Sequence, residues 1–326
     1  MLRRHAGAGL LALGVPRAEG GAGGTVGDAI EAIAAVSSHS MAAGFLFWSQ
    51  RTFIEYLLQS PNGALRERLL PGLLAGATGL SNAMKLLSGL EELQVVARPK
   101  GEGWRIDGRL PWATNLIPGG FHVAVAVALP GGSPFVAALP HDLPGLARSP
   151  DLALMGMRAT ATAAITLREA LIGPAHLLHA DALHWLPQVR PAFLGLQCGM
   201  AIGLARRALA EAAAQAGPAR EVLRPAREAL AARLAAQEQA LREGLAQGRL
   251  PAEAAALFRI RIALAGIVAE ATGLELQAAG GRAYLRPHGD GFARRWREAA
   301  FVPVITPSLT QLQAALAAAG RQGRAA

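Results

Sequence analysis

Few residues in this chain can do chemistry unaided. Cysteine occurs once, as Cys198, so no disulfide or cysteine-based metal site forms within the chain. Cys198 lies in the apolar run Phe193 to Ile202, where a small core hydrophobe is expected rather than a nucleophile. No H-E-x-x-H, no G-x-S-x-G and no paired metal-ligand spacing occurs, so no resident metal is expected. No glycine-rich phosphate loop follows a strand, which argues against a Rossmann cofactor site.

The elements that position any site must come from a chain of 326 residues, long enough for two or three structural units. It is 52% hydrophobic and 17% charged, which excludes disorder. No apolar run approaches the roughly 20 residues a membrane span needs, and no span is expected. The net charge of +9 is carried almost wholly by Arg, with Lys only at Lys85 and Lys100. The cations are scattered among Glu and Ala except for Arg294, Arg295 and Arg297 around Trp296, so a nucleic-acid stripe is not expected. An anionic small molecule fits this charge better. The start, MLRRHAGAGLLALGVP, imitates a short signal peptide, but a polar turn follows in place of an A-x-A-type site. The expected compartment is a reducing cytoplasm.

Apolar spacing near 3.6 predicts helices over Asp28–Val36 and Gly44–Leu58, a turn at Ser60-Pro61-Asn62-Gly63, and a helix over Leu65–Leu74. Glu92–Arg98 alternates as a strand, and Trp104–Gly108 reads as a strand entering a tight Asp-Gly turn. Phe121–Leu129, Phe135–Leu139 and Thr160–Arg168 are further strands of an antiparallel domain. Helices return over Ala192–Ala216, Arg220–Gly244 and from Pro251 to about Ala279, with a last one over Ser308–Ala319 started by a Thr-Pro-Ser cap. The reading is an α+β chain: a helical part at 1–75, an antiparallel β domain at 76–175, and a C-terminal four-helix bundle at 176–326.

Four segments in order resemble the acyl-CoA dehydrogenase family. Gly14-Val15-Pro16-Arg17-Ala18-Glu19-Gly20-Gly21 resembles its early G-x-P-x-x-x-G-G loop. Gly101 to Asn115, ending Trp112-Ala113-Thr114-Asn115, is similar to its hairpin closing in W-(I/C)-T-N. Walking back without a gap, the strand and loop Y-x-x-T-E-x-x-x-G-S falls on Gly79 to Ser88, with Asn82 at the Thr position and Ser88 at the Ser position. Gln277-Ala278-Ala279-Gly280-Gly281-Arg282-Ala283-Tyr284 resembles Q-x-x-G-G-x-G-(Y/F), and Arg294 to Glu298 resembles the closing R-D pair. Met155 to Thr162 and Leu171 to Pro174 resemble the entry to and exit from the last β segment. The family's first helices are largely missing.

The resemblance implies the family fold and an FAD cofactor. It places Trp112 and Thr114 against the flavin ring, with Asn82 and Ser88 beside them. An indole can cover a ring face, and a hydroxyl can bond a ring nitrogen. Gln277, Gly280 and Gly281 would touch the dinucleotide of a neighbouring subunit, implying a homodimer or homotetramer. Taken alone, the same residues read as a β-hairpin with a buried Trp, as loop polar residues, and as a glycine cap ending a long helix.

Two departures matter. Removal of an α proton needs a base within reach, yet the family's Glu position falls on Thr306 or Pro307, and the alternative position near Pro191-Ala192-Phe193 has no carboxylate. His184 and His288 are the nearest titratable candidates, although a lone His is more often structural or exposed. The R-x-x-F-G that pairs with the pyrophosphate is absent from Ala213–Gly217, leaving Arg220 as a substitute. Three functions follow from the resemblance. One is an FAD-dependent acyl-CoA dehydrogenase working with an electron-transfer flavoprotein. A second is a monooxygenase of the dibenzothiophene branch, using reduced flavin from a separate reductase. The third is a non-catalytic partner subunit or acyl-binding protein.

Overall fold

The computed structural model describes residues 1–88, 93–215, 217–248, 250 and 254–325. Helices come first: α1 (Leu2–Gly7), α2 (Val26–His39), α3 (Met41–Gln59) and α4 (Gly63–Leu74). The strands are β1 (Thr78–Ser81), β2 (Val95–Lys100), β3 (Gly103–Ala113), β4 (Phe121–Val127), β5 (Phe135–Pro140), β6 (Leu146–Arg148), β7 (Ala163–Ile172) and β8 (Leu177–His179). Helices then return as α5 (Ala182–Ala214), α6 (Arg224–Ala246), α7 (Ala254–Ala279), α8 (Asp290–Phe301) and α9 (Leu309–Ala325). This is the α+β order expected. The chain divides into two compact units: Met1–Ala29, Leu46–Leu154 and Arg158–Phe193 in the first, and Ile30–Phe45, Met155–Met157 and Leu194–Ala326 in the second.

In the first unit two four-stranded sheets, ordered β1-β4-β5-β8 and β2-β3-β7-β6, share one core. Alternation decides which residues enter it. Phe121, Val123, Val125 and Val127 of β4 meet Ile106 and Leu110 of β3 and Ile165, Leu167 and Ile172 of β7. On the opposite face of β4, His122 packs against Phe53 of α3, ring centroids 6.4 Å apart. Ala128 joins the sheets, accepting from Ala97 N at 2.8 Å and donating to Val95 O at 2.9 Å. The buried Gln50 of α3 sets where β1 begins: it donates to Leu73 O and Ala77 O and accepts from Gly79 N at 2.7 Å. Arg51, fully buried, donates to Gly14 O and Leu13 O and pairs with Glu55, which fixes the early Gly-Pro loop.

In the second unit α5 passes α2 on a line of small residues. A Cβ on Gly203 would fall 2.0 Å from Ala34 O, so only glycine permits that approach. Arg206 then reaches Glu31 and Glu238. Ser308 and Gln311 cap α9 reciprocally, Gln311 N donating to Ser308 Oγ and Ser308 N to Gln311 Oε1.

Several expectations need correction. β3 does not turn at Asp107-Gly108; it runs on with a bulge between Ile106 and Gly108, and the turn lies at Gly101-Glu102. The φ of +149° at Gly108 accommodates the irregularity. The sheets are not wholly antiparallel, because β1 pairs β4 in parallel. Helix α5 starts ten residues before the expected Ala192, at Ala182, and contains Pro187 and Pro191. Spaced four apart, the two prolines forfeit hydrogen bonds on one face only, and the helix continues. Helix α8 lies where no helix is expected from the sequence; its buried positions are Arg295, Glu298 and Ala299, so the face it turns inward is not an apolar one. Glu92 and Pro251 lie outside the described residues. Among the described residues one stretch, Asp290–Arg321, is long and apolar enough by composition to cross a membrane. It is not one helix: α8 ends at Phe301, and the chain turns through residues 302–308 before α9.

Candidate functional site

In the first unit the ends of β1 and β3 come together. Asn82, just past β1, donates its backbone N–H to Ala124 O at 2.8 Å and its side-chain amide to Trp112 O at 3.0 Å. Trp112 is not the buried tryptophan of an ordinary hairpin; it is 63% exposed, between half-buried Pro111 and buried Ala113. Asn115, fully buried with φ of +62°, donates its side-chain amide to Gly79 O at 3.0 Å and its N–H to Thr160 O at 2.8 Å. The hairpin end is thus tied to β1 on one side and to the 158–162 turn on the other.

Between Trp112 and Asn115, Thr114 is half-buried. Its hydroxyl donates to Thr160 O at 3.1 Å and accepts from the Thr162 hydroxyl at 3.2 Å. The Thr160 and Thr162 hydroxyl oxygens are 2.7 Å apart. Ala161, between them, is held in the left-handed region at φ +47°, where an alanine is strained. In the sequence Thr160 and Thr162 stand only within the segment Met155 to Thr162 that resembles the entry to the last β segment, with no role toward Thr114.

Among the buried side-chain oxygens of the first unit, Tyr56 Oη, Thr52 Oγ1, Ser81 Oγ and Asn115 Oδ1 make no well-formed hydrogen bond. Burial pushes the Tyr56 phenol well up, opposed slightly by the neighbouring Ser81 hydroxyl. Such atoms are costly to leave unpaired. Nothing in the sequence distinguishes Tyr56 or Thr52 from other residues of an apolar helix. Ser88 ends a short 3-10 turn, Ala83–Ser88, and its side chain lies outside the described residues.

In the second unit Gln277 is exposed in the last turn of α7, and Gly280 follows that helix at φ +58°. It therefore serves as the helix-ending glycine. Gly281 has open space around it, and a Cβ on Gly280 would fall 2.7 Å from an Arg220 guanidinium nitrogen. The Arg220 guanidinium thus lies against the Gly-Gly turn. Arg295 of the closing segment forms a buried pair with Glu275 of α7, three hydrogen bonds in all.

The segment around Thr306 and Pro307 is well held. Gln197 donates to Thr306 O at 3.0 Å and accepts from Arg261 Nε at 2.7 Å, and Arg261 also donates to Val302 O at 2.7 Å. Thr306 is exposed, Pro307 is buried, and neither supplies a base. His184 and His288 are both exposed, and His184 Nε2 meets the Gln188 amide at 3.0 Å. Burial pushes the Cys198 thiol up to about 12, so it is no nucleophile. Among the described residues no group of three or more His, Cys, Asp or Glu is placed to hold a metal ion.

No protein-family model matches the sequence, and no curated protein matches it. Solved structures do match. Dibenzothiophene monooxygenase (TdsC) from Paenibacillus sp. A11-2 superposes with a TM-score of 0.80 at 21% identity, over 94% of this chain and 86% of that one. A glutaryl-coenzyme A dehydrogenase in complex with glutaryl-CoA gives 0.83 at 17% identity, over 97% and 85%. KijD3 in complex with FMN and an aminosugar nucleotide gives 0.80 at 19%, over 99% and 86%. The chain has the acyl-CoA dehydrogenase fold.

The residues present fit a flavin. An exposed indole, a hydroxyl with a lone pair to spare and the Asn82 tie stand at the hairpin end of the first unit. An arginine stands in the second against two glycines, one of them with open space around it, suited to a phosphate.

Proposed function

We propose that this chain is a monooxygenase that uses reduced flavin delivered by a separate reductase. The observation that carries the proposal is the 302–308 segment: Gln197 and Arg261 hold it in place, yet it presents no carboxylate. Oxygenation of this kind needs no α-proton base. The fold similarity to a dibenzothiophene monooxygenase and to an FMN-bound enzyme agrees with it.

The bound cofactor would supply two electrons. Substrate, dioxygen and reduced flavin give oxygenated substrate, water and oxidised flavin. Trp112 would cover one face of the ring, and Thr114, oriented by Thr160 and Thr162, would meet a ring nitrogen. Asn82 would keep Trp112 in register through its carbonyl. Gln277, Gly280, Gly281 and Arg220 would take the phosphate end of a flavin, contributed from a second copy in a homodimer or homotetramer. FMN and FAD both satisfy this arrangement.

Oxygen-dependent product formation tests the proposal, with the purified protein, a flavin reductase and an aromatic thioether or amine panel. Water and oxygenated product in one-to-one ratio are expected; turnover without oxygen would overturn it. A second reading, an FAD-dependent acyl-CoA dehydrogenase, draws on the similarity to glutaryl-coenzyme A dehydrogenase. It requires tightly held FAD that bleaches anaerobically on addition of an acyl-CoA.

A further inference from the structure

Three arginines are buried among the described residues: Arg51, Arg261 and Arg295. A buried charge needs an opposite charge beside it, because the interior does not replace the water it gave up. Two of the three obey this rule. Arg51 donates to Glu55 Oε2 at 2.9 Å, and Arg295 donates to both oxygens of Glu275. Arg261, on α7 in the second unit, does not. Its partners are the Gln197 amide oxygen and the Val302 carbonyl, each at 2.7 Å and both neutral. Among the described residues no carboxylate pairs with it. The Cys198 thiol acts on it electrostatically, but burial pushes that thiol up to about 12 and so keeps it neutral.

The hydrogens around Arg261 show the same imbalance. A guanidinium carries five N–H donors and stays protonated in a protein. Nε spends one on Gln197 and Nη2 spends one on Val302 O, so three remain, two of them on Nη1. Nη1 is buried and has no hydrogen-bond partner. Gln197 has given its oxygen to Arg261 and one amide hydrogen to Thr306 O at 3.0 Å, and its second amide hydrogen is unspent. The surplus is of donors and of positive charge together. A water molecule would take the donors and leave the charge. A group that accepts hydrogen bonds and carries one negative charge satisfies both. Gln197, Cys198, Arg261 and Val302 are each at most 1% exposed, which favours a small, weakly hydrated ion over a bulky organic acid.

We propose that Arg261 anchors a monovalent, chloride-sized anion at Nη1, inside the second unit. The ion neutralises the one buried arginine for which the chain supplies no carboxylate. It also strengthens the hold on residues 302–308, since Arg261 bonds Val302 O and Gln197 bonds Thr306 O. The site is separate from the hairpin end at Trp112 and makes no use of flavin.

The test is thermal melting of the full-length protein while sodium gluconate is exchanged for sodium chloride at constant ionic strength. Gluconate is too large to take the place of chloride. An ion that binds only the folded state raises the midpoint with the logarithm of its concentration, by about 4 °C at about a hundredfold its Kd. Arg261→Met removes the charge and should abolish the rise. Arg233→Gln removes an exposed arginine paired with Glu270 and should keep it. Crystals soaked in bromide should show an anomalous peak within hydrogen-bonding distance of Arg261 Nη1.

A wild-type midpoint that does not rise on exchange overturns the proposal. So does an equal rise in Arg261→Met, which would mean that chloride acts elsewhere. Should Arg261→Met fail to fold, the bromide crystals of the wild-type protein decide: a peak at Nη1 upholds the site, and an ordered water there, or no peak, overturns it.

Discussion

Thr114 in the first unit and Glu275 in the second are both held by side chains from elsewhere in the sequence, yet they keep different amounts of chemistry in reserve. Glu275 is fully buried, and both its oxygens are engaged by Arg295, itself 6% exposed. Thr114 is half-buried, spends its hydrogen on Thr160 O, and retains a lone pair beside an exposed indole. A saturated, buried pair has nothing to offer a ligand and serves the fold. A polar atom oriented by its neighbours and left one partner short is ready for something from outside. Charge and burial alone would have pointed to the wrong residue, since Glu275 is much the more deeply buried of the two.

The sharpest way to break this comparison is to damage each side and ask which property fails. Glu275→Ala leaves Arg295 buried without its main partner and should cost about 3–5 kcal/mol of stability by urea denaturation. A loss below about 1 kcal/mol would mean that Glu211 and Glu298, which also approach Arg295, suffice. Trp112→Ala should do the converse. An exposed side chain contributes within about 0.5 kcal/mol to stability, while lost stacking should weaken flavin about tenfold. Equal melting losses in the two variants would erase the distinction.

The smallest expected effect is one of pH. Glu298 lies in the second unit at 3% exposure, where burial raises its pKa above the ordinary value, opposed by Arg294, Arg295 and the Met41 and Ala42 amides. A carboxyl raised in the folded state stabilises most when protonated, and that contribution fades as pH rises through its folded pKa. Glu298→Gln should therefore melt slightly higher than wild type at pH 7. The difference should vanish below the unfolded value of 4.5, and thermal melts across pH 4 to 8 would show it. A variant that melts lower at pH 7 would place Glu298 with Glu275, as a partner whose charge is needed.

Much of this was legible in the sequence because it is local. The helix–strand–helix order follows from periodicity over short windows, and Trp112-Ala113-Thr114-Asn115 is four consecutive residues. The asparagine tie from Asn82 to Trp112 is also within reach of the sequence, since the resemblance puts both positions beside one ring. What stayed hidden is non-local. Thr160 and Thr162 stand 46 and 48 positions from Thr114, and only the fold shows that they orient it. The inward charges of α8 contradict the rule that inward faces are apolar, so the pattern does not tell which face of that helix is buried. An Asp-Gly pair serves a bulge as well as a hairpin, so Asp107-Gly108 alone does not locate the turn.

One feature of the β sheets bears on how the protein behaves in a crowded solution. β2 is an edge strand, and an open edge invites another chain to add itself. Here its first half is closed by Ala128, and its second half exposes Arg98, Pro99 and Lys100. Proline has no N–H to lend, and two cations repel a like neighbour. An incoming strand finds little to pair with, so this border of the sheet is guarded against aggregation by three residues of its own sequence.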